Sequence, residues 1–422
     1  MTSFSAFVAD AAAQGELVVQ PRMGFADPAQ MRAGLLAVRG VRGRTAGTIT
    51  LDSYTRVGAH DAARRALRDG APLNGFPLVA HGPDVTRKML EGVVAQDFPV
   101  QVRHGSPAPY DIVRTLLDAG LDATEGGPVS YCLPYSRTPL RDSVREWRRT
   151  CELMGEHGPH AHLETFGGCM LGQLCPPGLL VALSVLEALF FRAHGLRSVS
   201  LSYAQQTEAA QDLEAIAALR TLAGELLPDV RWHVVLYTYM GVYPRSTTGA
   251  TTLLRDSVEL AVRSGAERLI VKTEVEAHRI PTTAENVAAV RRALDATGRP
   301  IDDLPPSHTG VLVEARALVE AVLELHADLG RALELAFQHG WLDVPYCLHP
   351  DNAGETRAAL DERGRLRWVS VGSMPISGLV RTLPPEALSA RSLLTMLTHV
   401  ERRYDNVLDD IPARLHLTDR RE

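Results

Sequence analysis

No apolar run in this 422-residue sequence approaches the ~20 residues that a membrane-crossing helix requires. The longest, GLLVALSVLEALFF, is too short and is broken by Glu187, so no membrane partner is expected. The first residues, MTSFSAFVADAAAQGE, show neither a basic start nor a secretory apolar core. No block of basic residues occurs and the net charge is -6. That argues against nucleic acid or an anionic membrane as the main partner. Cysteine is scarce. Cys132, Cys151, Cys169, Cys175 and Cys347 are scattered, odd in number and without a C-x-x-C pair. They make a poor disulfide framework and point to a reducing, cytoplasmic setting. G-x-G-x-x-G and G-x-x-x-x-G-K-[ST] are both missing, which removes the two common backbone cradles for nucleotide phosphates.

What the chain has instead is a long alternation. Short β-rich runs begin near Glu16, Gly47, Leu73, Phe98, Ala123, His160, Ser198, Trp232 and Arg268. Their spacing of roughly 25 to 40 residues is that of one strand-helix unit. Amphipathic stretches such as HDAARRALRDG, DVTRKMLEGVVA and TTAENVAAVRRALDATG lie between them. SPAPYDIVRTLLDAG should open with Ser106 as N-cap and Pro107 in the first turn. The pattern predicts an α/β fold, a (β/α)8 TIM-type barrel with a C-terminal helix-plus-hairpin appendage. A doubly wound open sheet is the runner-up. Nine starts for eight strands means that one run is not a barrel strand. The polar stretch GRPIDDLPPSHTG, with Pro305-Pro306, marks a boundary. A catalytic barrel is expected over 1–304, and over 305–422 a helical and hairpin region packed on it.

Three of these runs end in arginine: Arg22 in GELVVQPRMG, Arg56 in GTITLDSYTR and Arg103 in FPVQVRHG. A fourth carries Glu125, in ATEGGPVSY. Side chains at the C-terminal ends of barrel strands share one mouth. Three guanidinium groups and one carboxylate there suit a small molecule with two carboxylates and one ammonium group. Each arginine read alone is a surface or salt-bridge residue, and Glu125 read alone merely neutralises them. Tyr131 and Tyr135, more often packing residues, could hydrogen-bond a carboxylate in a closed mouth. Lys272 ends the run LIVK, and with Glu276 it reads equally well as a local ion pair. His160-Ala161-His162 would place two rings on one strand face, as a metal-dependent barrel hydrolase requires. His233, His278 and His349 supply no regular completion of a metal shell, so no metal site is expected.

Taken together, QPRMG, LDSYTR, LNGFP, VRHG, EGGPVSYCLPY, IVKT…EAHRIPT and DNAG occur in order from Gln20 to Gly354. In this they resemble the large catalytic subunit of glutamate mutase, the methylaspartate mutase E chain. The resemblance implies a (β/α)8 barrel and an adenosylcobalamin-dependent radical isomerase that interconverts L-glutamate and (2S,3S)-3-methylaspartate. It implies that Arg22, Arg56 and Arg103 clamp the substrate carboxylates. Glu125 would face the amino group, with Tyr131 and Tyr135 completing the pocket. Lys272 and Glu276 would contact the adenosyl group, and Gly24, Asn74, Pro134, Tyr243 and Ile280 would line the cofactor. The D-x-H-x-x-G motif of cobalamin-binding modules is absent. The resemblance therefore implies a separate small cobalamin-binding subunit that supplies the axial histidine, in a heterotetramer built on a dimer of large subunits. Departures from the family pattern fall in SYAQQTEAAQD, in Tyr239–Tyr243 and at Glu355, in loops expected near the corrin and the partner. The alternatives are the hydrolase built on His160 and His162, and a non-catalytic binder of acidic amino acids.

Overall fold

The computed structural model describes residues 3–170, 174–276, 279–298, 307–385 and 389–405. Eight parallel strands run β1 Val18–Pro21, β2 Gly47–Thr50, β3 Val100–Arg103, β4 Ala123–Gly126, β5 His162–Thr165, β6 Ser198–Ala204, β7 Arg231–Tyr237 and β8 Arg268–Val271. Their order is β1-β8-β7-β6-β5-β4-β3-β2. The seam between β1 and β2 closes through a parallel bridge of Val19 with Thr45, where Val19 N donates to Arg44 O at 2.9 Å. The result is the expected (β/α)8 barrel. Most of its strands are buried along their whole length, as they must be with helices outside and side chains filling the inside.

Eight of the nine strand starts mark strands, and the run at Leu73 does not. Phe76 makes only an isolated bridge to Leu51. A Cβ on Gly75 would lie 2.5 Å from the Leu51 carbonyl carbon, so this segment is a loop tucked against the end of β2. The strand containing Arg56 is also shorter than its sequence suggested. Asp52 Oδ1 accepts from Tyr54 N at 2.9 Å and Thr55 N at 3.1 Å, which caps a helical turn over Ser53–Arg56. The helix expected to begin at Ser106 begins at Tyr110. Ala108 precedes Pro109, and a residue before proline is kept out of the helical region.

Inside the barrel, residues two apart on a strand share a face, and the inward set is polar. Arg268 on β8 is fully enclosed. Its Nη1 donates to Gln20 Oε1 at 2.7 Å and Gln101 Oε1 at 3.1 Å; Nη2 donates to Ser200 Oγ at 3.1 Å and to Glu164. The helix Phe4–Ala13 closes the lower end: the Arg268 guanidinium lies 4.9 Å from the Phe4 ring, which stacks on His162 at 5.2 Å. His162 contacts Ser198 Oγ at 2.9 Å and Ser200 Oγ at 3.1 Å. Burial, reinforced by Arg268, holds His162 and His233 well below the ordinary histidine range, so both are neutral.

The C-terminal elements share the barrel's apolar core. The helices Val311–Leu325 and Leu329–Gln338 pack on Pro177–Ala193 and Leu140–His157. The expected hairpin is β9 Arg357–Leu360 with β10 Leu366–Ser370, and Trp368 Nε1 donates to the buried Glu314 at 2.9 Å. The boundary expected at Pro305-Pro306 lies outside the described residues. Among the described residues, no helix is long and apolar enough to cross a membrane.

Replacing one member of a buried ion pair leaves the other charge uncompensated, at a cost of ~3–5 kcal/mol. Arg268→Met is therefore expected to lower the unfolding free energy by about that amount in equilibrium urea titration, and Arg268→Met with Glu164→Leu should recover much of it. A single-variant loss below ~1 kcal/mol would show that the interior pair is not a structural requirement.

Candidate functional site

Arg103 is the last residue of β3, and Glu125 lies on the neighbouring β4. Arg103 Nε donates to Glu125 Oε2 at 2.6 Å, both side chains being almost fully enclosed. Tyr237, at the end of β7, also donates to Glu125 Oε2 at 2.7 Å, and the Tyr131 hydroxyl bonds Oε1. Burial is the largest influence on Glu125 and raises its pKa. Arg103 and the two phenols outweigh it and hold the carboxyl below its usual range. Burial likewise disfavours the Arg103 cation, but Glu125 and the tyrosines reverse this and keep it firmly charged. The ion pair occupies Nε, and among the described residues no hydrogen-bond acceptor engages the two Nη groups. Those are the groups that can grip a carboxylate in a bidentate fork.

Arg22 follows β1 directly, and Arg56 ends the capped turn beyond β2. Arg22 Nη1 lies 3.1 Å from Glu276 Oε2. Arg56 donates through Nε to Leu51 O at 3.0 Å, and among the described residues no carboxylate pairs with it. Burial lowers the Arg56 pKa, and Arg22 and Arg103 are close enough to lower it further. Tyr131 packs on Phe166 at 5.0 Å, and Tyr135 lies 6.0 Å from Tyr131 with 51% of its surface exposed at the rim. The three arginines, Glu125 and both tyrosines thus converge on one mouth, although two of the arginines already have an internal acid beside them.

A cavity of about 370 Å³ opens beside Arg22, lined by Gly24, Thr50, Asn74, Glu276 and Ile280 among others. It gathers four of the positions expected to face a cofactor. Gly24 has a separate backbone reason to be glycine: a Cβ there would sit 2.2 Å from Thr50 O. Asn74 Oδ1 accepts from Ser53 N at 2.8 Å, anchoring the turn that carries Arg56. Pro134 lies half-buried in the turn between Tyr131 and Tyr135 and does not border this cavity. Lys272 follows β8, and its ammonium stands 4.5 Å from the buried Tyr243 ring. Burial pushes the Lys272 pKa down to about 8, although Glu276 works against it. Among the described residues, the buried Thr50 and Thr273 side-chain oxygens and the Tyr243 hydroxyl have no hydrogen-bond partner. Such groups need a ligand or water to satisfy them.

The two histidines of the hydrolase alternative are not brought together. His160 is exposed in the turn before β5, whereas His162 points into the barrel base. Among the described residues, no group of three or more histidine, cysteine, aspartate or glutamate side chains is arranged to hold a metal ion. His278 lies outside the described residues. Three residues of the mouth escaped the sequence reading: Tyr237, Phe166 and His104. Tyr237 ends a strand just as Arg103 does, so the strand-end criterion applied to β7 would have found it. His104 stacks on Trp147 at 5.8 Å and is neutral, burial pushing its pKa down to about 3.

Fold and mouth together define a (β/α)8-barrel protein whose strand ends set convergent guanidinium groups around one carboxylate. Residues 1–415 match the family model for the methylaspartate mutase E chain (MutE), and the chain belongs to that family. The chain is similar to the "glutamate mutase epsilon subunit" of Halobacterium salinarum, 32% identical over 360 residues, which cover 81% of this chain and 75% of that one. The protein of the same name from Escherichia coli O157:H7 is 30% identical over 389 residues, covering 87% and 79% of the two chains. That of Desulfitobacterium hafniense is 30% identical over 436 residues, covering 97% and 88%.

Lys272 is one of only two lysines in the chain, with Lys88, so its titration can be isolated. After reductive ¹³C-methylation of Lys88→Arg, the resonances of Lys272 and of the N-terminal amine remain, and the one that disappears when Lys272→Arg is added is expected to titrate near 8. The buried charged form weighs against the fold below that pH, and the penalty is relieved as pH rises toward the ordinary lysine value of ~10.4. A midpoint at ~10.4 would mean that Lys272 is solvated.

Proposed function

We propose that this chain is the substrate-binding barrel of an isomerase that interconverts L-glutamate and (2S,3S)-3-methylaspartate, acting with adenosylcobalamin carried by a separate small subunit. The observation that carries the reading is the convergence of Arg22, Arg56 and Arg103 with Glu125 at one mouth. The names of the relatives agree with it. L-glutamate brings two carboxylates for the guanidinium groups and an ammonium group for the ionised Glu125. Charge-assisted hydrogen bonds of this kind contribute ~1.5–3 kcal/mol each. A doubly anchored substrate also keeps its pieces in register if a carbon–carbon bond is broken and remade.

The residues present fit the adenosyl end of such a cofactor. Thr50, Thr273 and Tyr243 offer buried polar atoms that have no partner among the described residues, and Glu276 and Asn74 line the adjoining cavity. Lys272, Glu276, Gly24, Asn74, Tyr243 and Ile280 would hold the adenosyl group, with Pro134 shaping the neighbouring loop. The corrin is too large for a cavity of about 370 Å³ and would have to lie outside it, on the mouth. When bound, the cofactor supplies the carbon-centred radical that removes hydrogen from the substrate. The chain's own contribution is positional: arginines fix the carboxylates, Glu125 fixes the ammonium, and Tyr131, Tyr135 and Phe166 wall off water and stray hydrogen donors. The chain has no D-x-H-x-x-G, which supports a partner bringing the cobalamin. In the assembly the resemblance implies, two large subunits pair within a heterotetramer.

The chain alone should not turn over. With a small cobalamin-binding subunit and adenosylcobalamin it should convert L-glutamate to 3-methylaspartate, followed by proton NMR. Arg103→Ala should lower kcat/KM at least ~100-fold through the loss of charge-assisted contacts. Glutamate binding in calorimetry without turnover in the full mixture would instead favour the non-catalytic binder.

A further inference from the structure

We propose that Glu187, which makes no ion pair among the described residues, is a positioning residue that ties together the two loops forming one wall of the mouth. It resides in the helix Pro177–Ala193, which is otherwise apolar over nearly all its length, and it is fully buried. Its Oε1 accepts from Val129 N at 3.3 Å and Ser130 N at 2.9 Å. Its Oε2 accepts from Ser130 Oγ at 2.9 Å, Phe166 N at 3.2 Å and Gly167 N at 2.9 Å. One carboxylate therefore satisfies donors on the loop after β4 and on the loop after β5. The first loop carries Tyr131 and the second is led by Phe166, and these two rings meet at 5.0 Å above Glu125 and Arg103.

A purely packing role does not account for this arrangement. Burying a carboxylate without a cation is costly, and an apolar side chain at position 187 would suit the helix better. Burial accordingly pushes the Glu187 pKa up to about 7, against the hydrogen bonds from Ser130, Phe166 and Gly167 that oppose the rise. The site is also shaped around the group, because a Cβ on Gly127 would fall 2.0 Å from Glu187 Oε1. That gives a physical reason for the second glycine of the EGG segment. The chain accepts a costly buried carboxyl group in its core, and what it gains is a fixed relation between two loops that, among the described residues, make no backbone ladder with each other.

The inference deepens the proposed function, since the wall it fixes is that of the glutamate site. Glu187→Gln sets an amide N–H₂ against backbone donors, whereas Glu187→Asp keeps the charge on a shorter stem. In amide hydrogen exchange of the full chain, Glu187→Gln should lose protection at least ~10-fold in 126–135 and 166–170 together, with β1, β2 and β8 unchanged. Glu187→Asp should restore part of it. In the assembled enzyme, Glu187→Gln should raise the KM for L-glutamate more than it lowers kcat. The proposal is overturned if only one loop loosens, if protection falls uniformly across the barrel, or if both loops keep wild-type protection. The exchange result stands independently of catalysis: a wild-type chain that never isomerises glutamate defeats the assigned reaction and leaves the coupling of the loops to be judged on its own.

Discussion

The Arg268–Glu164 ion pair sits where other barrels pack branched aliphatic side chains, and the mouth is built upon it. Glu164 is gripped from below by Arg268, Ser200 and Gln101, and from above by the Tyr237 hydroxyl. The same hydroxyl reaches Glu125, which is itself paired with Arg103. A phenol has one proton, so Tyr237 can donate to only one of the two carboxylates at a time, and the two layers cannot be set independently. Two cations and two anions thus stack along the barrel axis, each neutralised by a neighbour. Without the lower pair, the upper one would need to be held by the strands alone. With it, Glu125 has a defined rotamer and charge before any ligand arrives, which is the condition for selective binding in an enclosed polar site.

Strand positions were legible because buried parallel strands leave short β-branched runs at regular intervals. Strand ends were legible for Arg22 and Arg103 because the apolar alternation stops there. GTITLDSYTR reads as one continuous run through Arg56, and the side chain of Asp52 interrupts it by capping a helical turn. The run at Leu73 misled for a related reason. LNGFP is apolar because Phe76 and its neighbours pack against the end of β2, not because they join a sheet. The polar interior went unread: Gln20, Thr48 and Gln101 face inward, but nothing local reveals which partner each side chain meets. Those partners come from strands far apart in sequence, as Arg268 and Gln20 do.

His162 shows how a residue type can point toward the wrong chemistry. Two histidines two positions apart on a strand would share a face, yet β5 begins only at His162. The ring that enters the barrel is enclosed by two serines, Phe4 and His233, where burial strips it of charge. Glu187 is the opposite case. In the sequence it looked like an interruption in an apolar run, and nothing local reveals that five donors from two distant loops converge on it.

The Phe4 ring has a consequence for traffic. By stoppering the lower end, it leaves the barrel as a vessel with its opening at the strand ends, so a reactant arrives and a product departs past the same arginines. On the proposed reading, a second chain would sit across that opening during each catalytic cycle. Exchange of small molecules with bulk solvent would then wait on the lifting of that lid, and the pace of the cycle would be set by how tightly the lid is held.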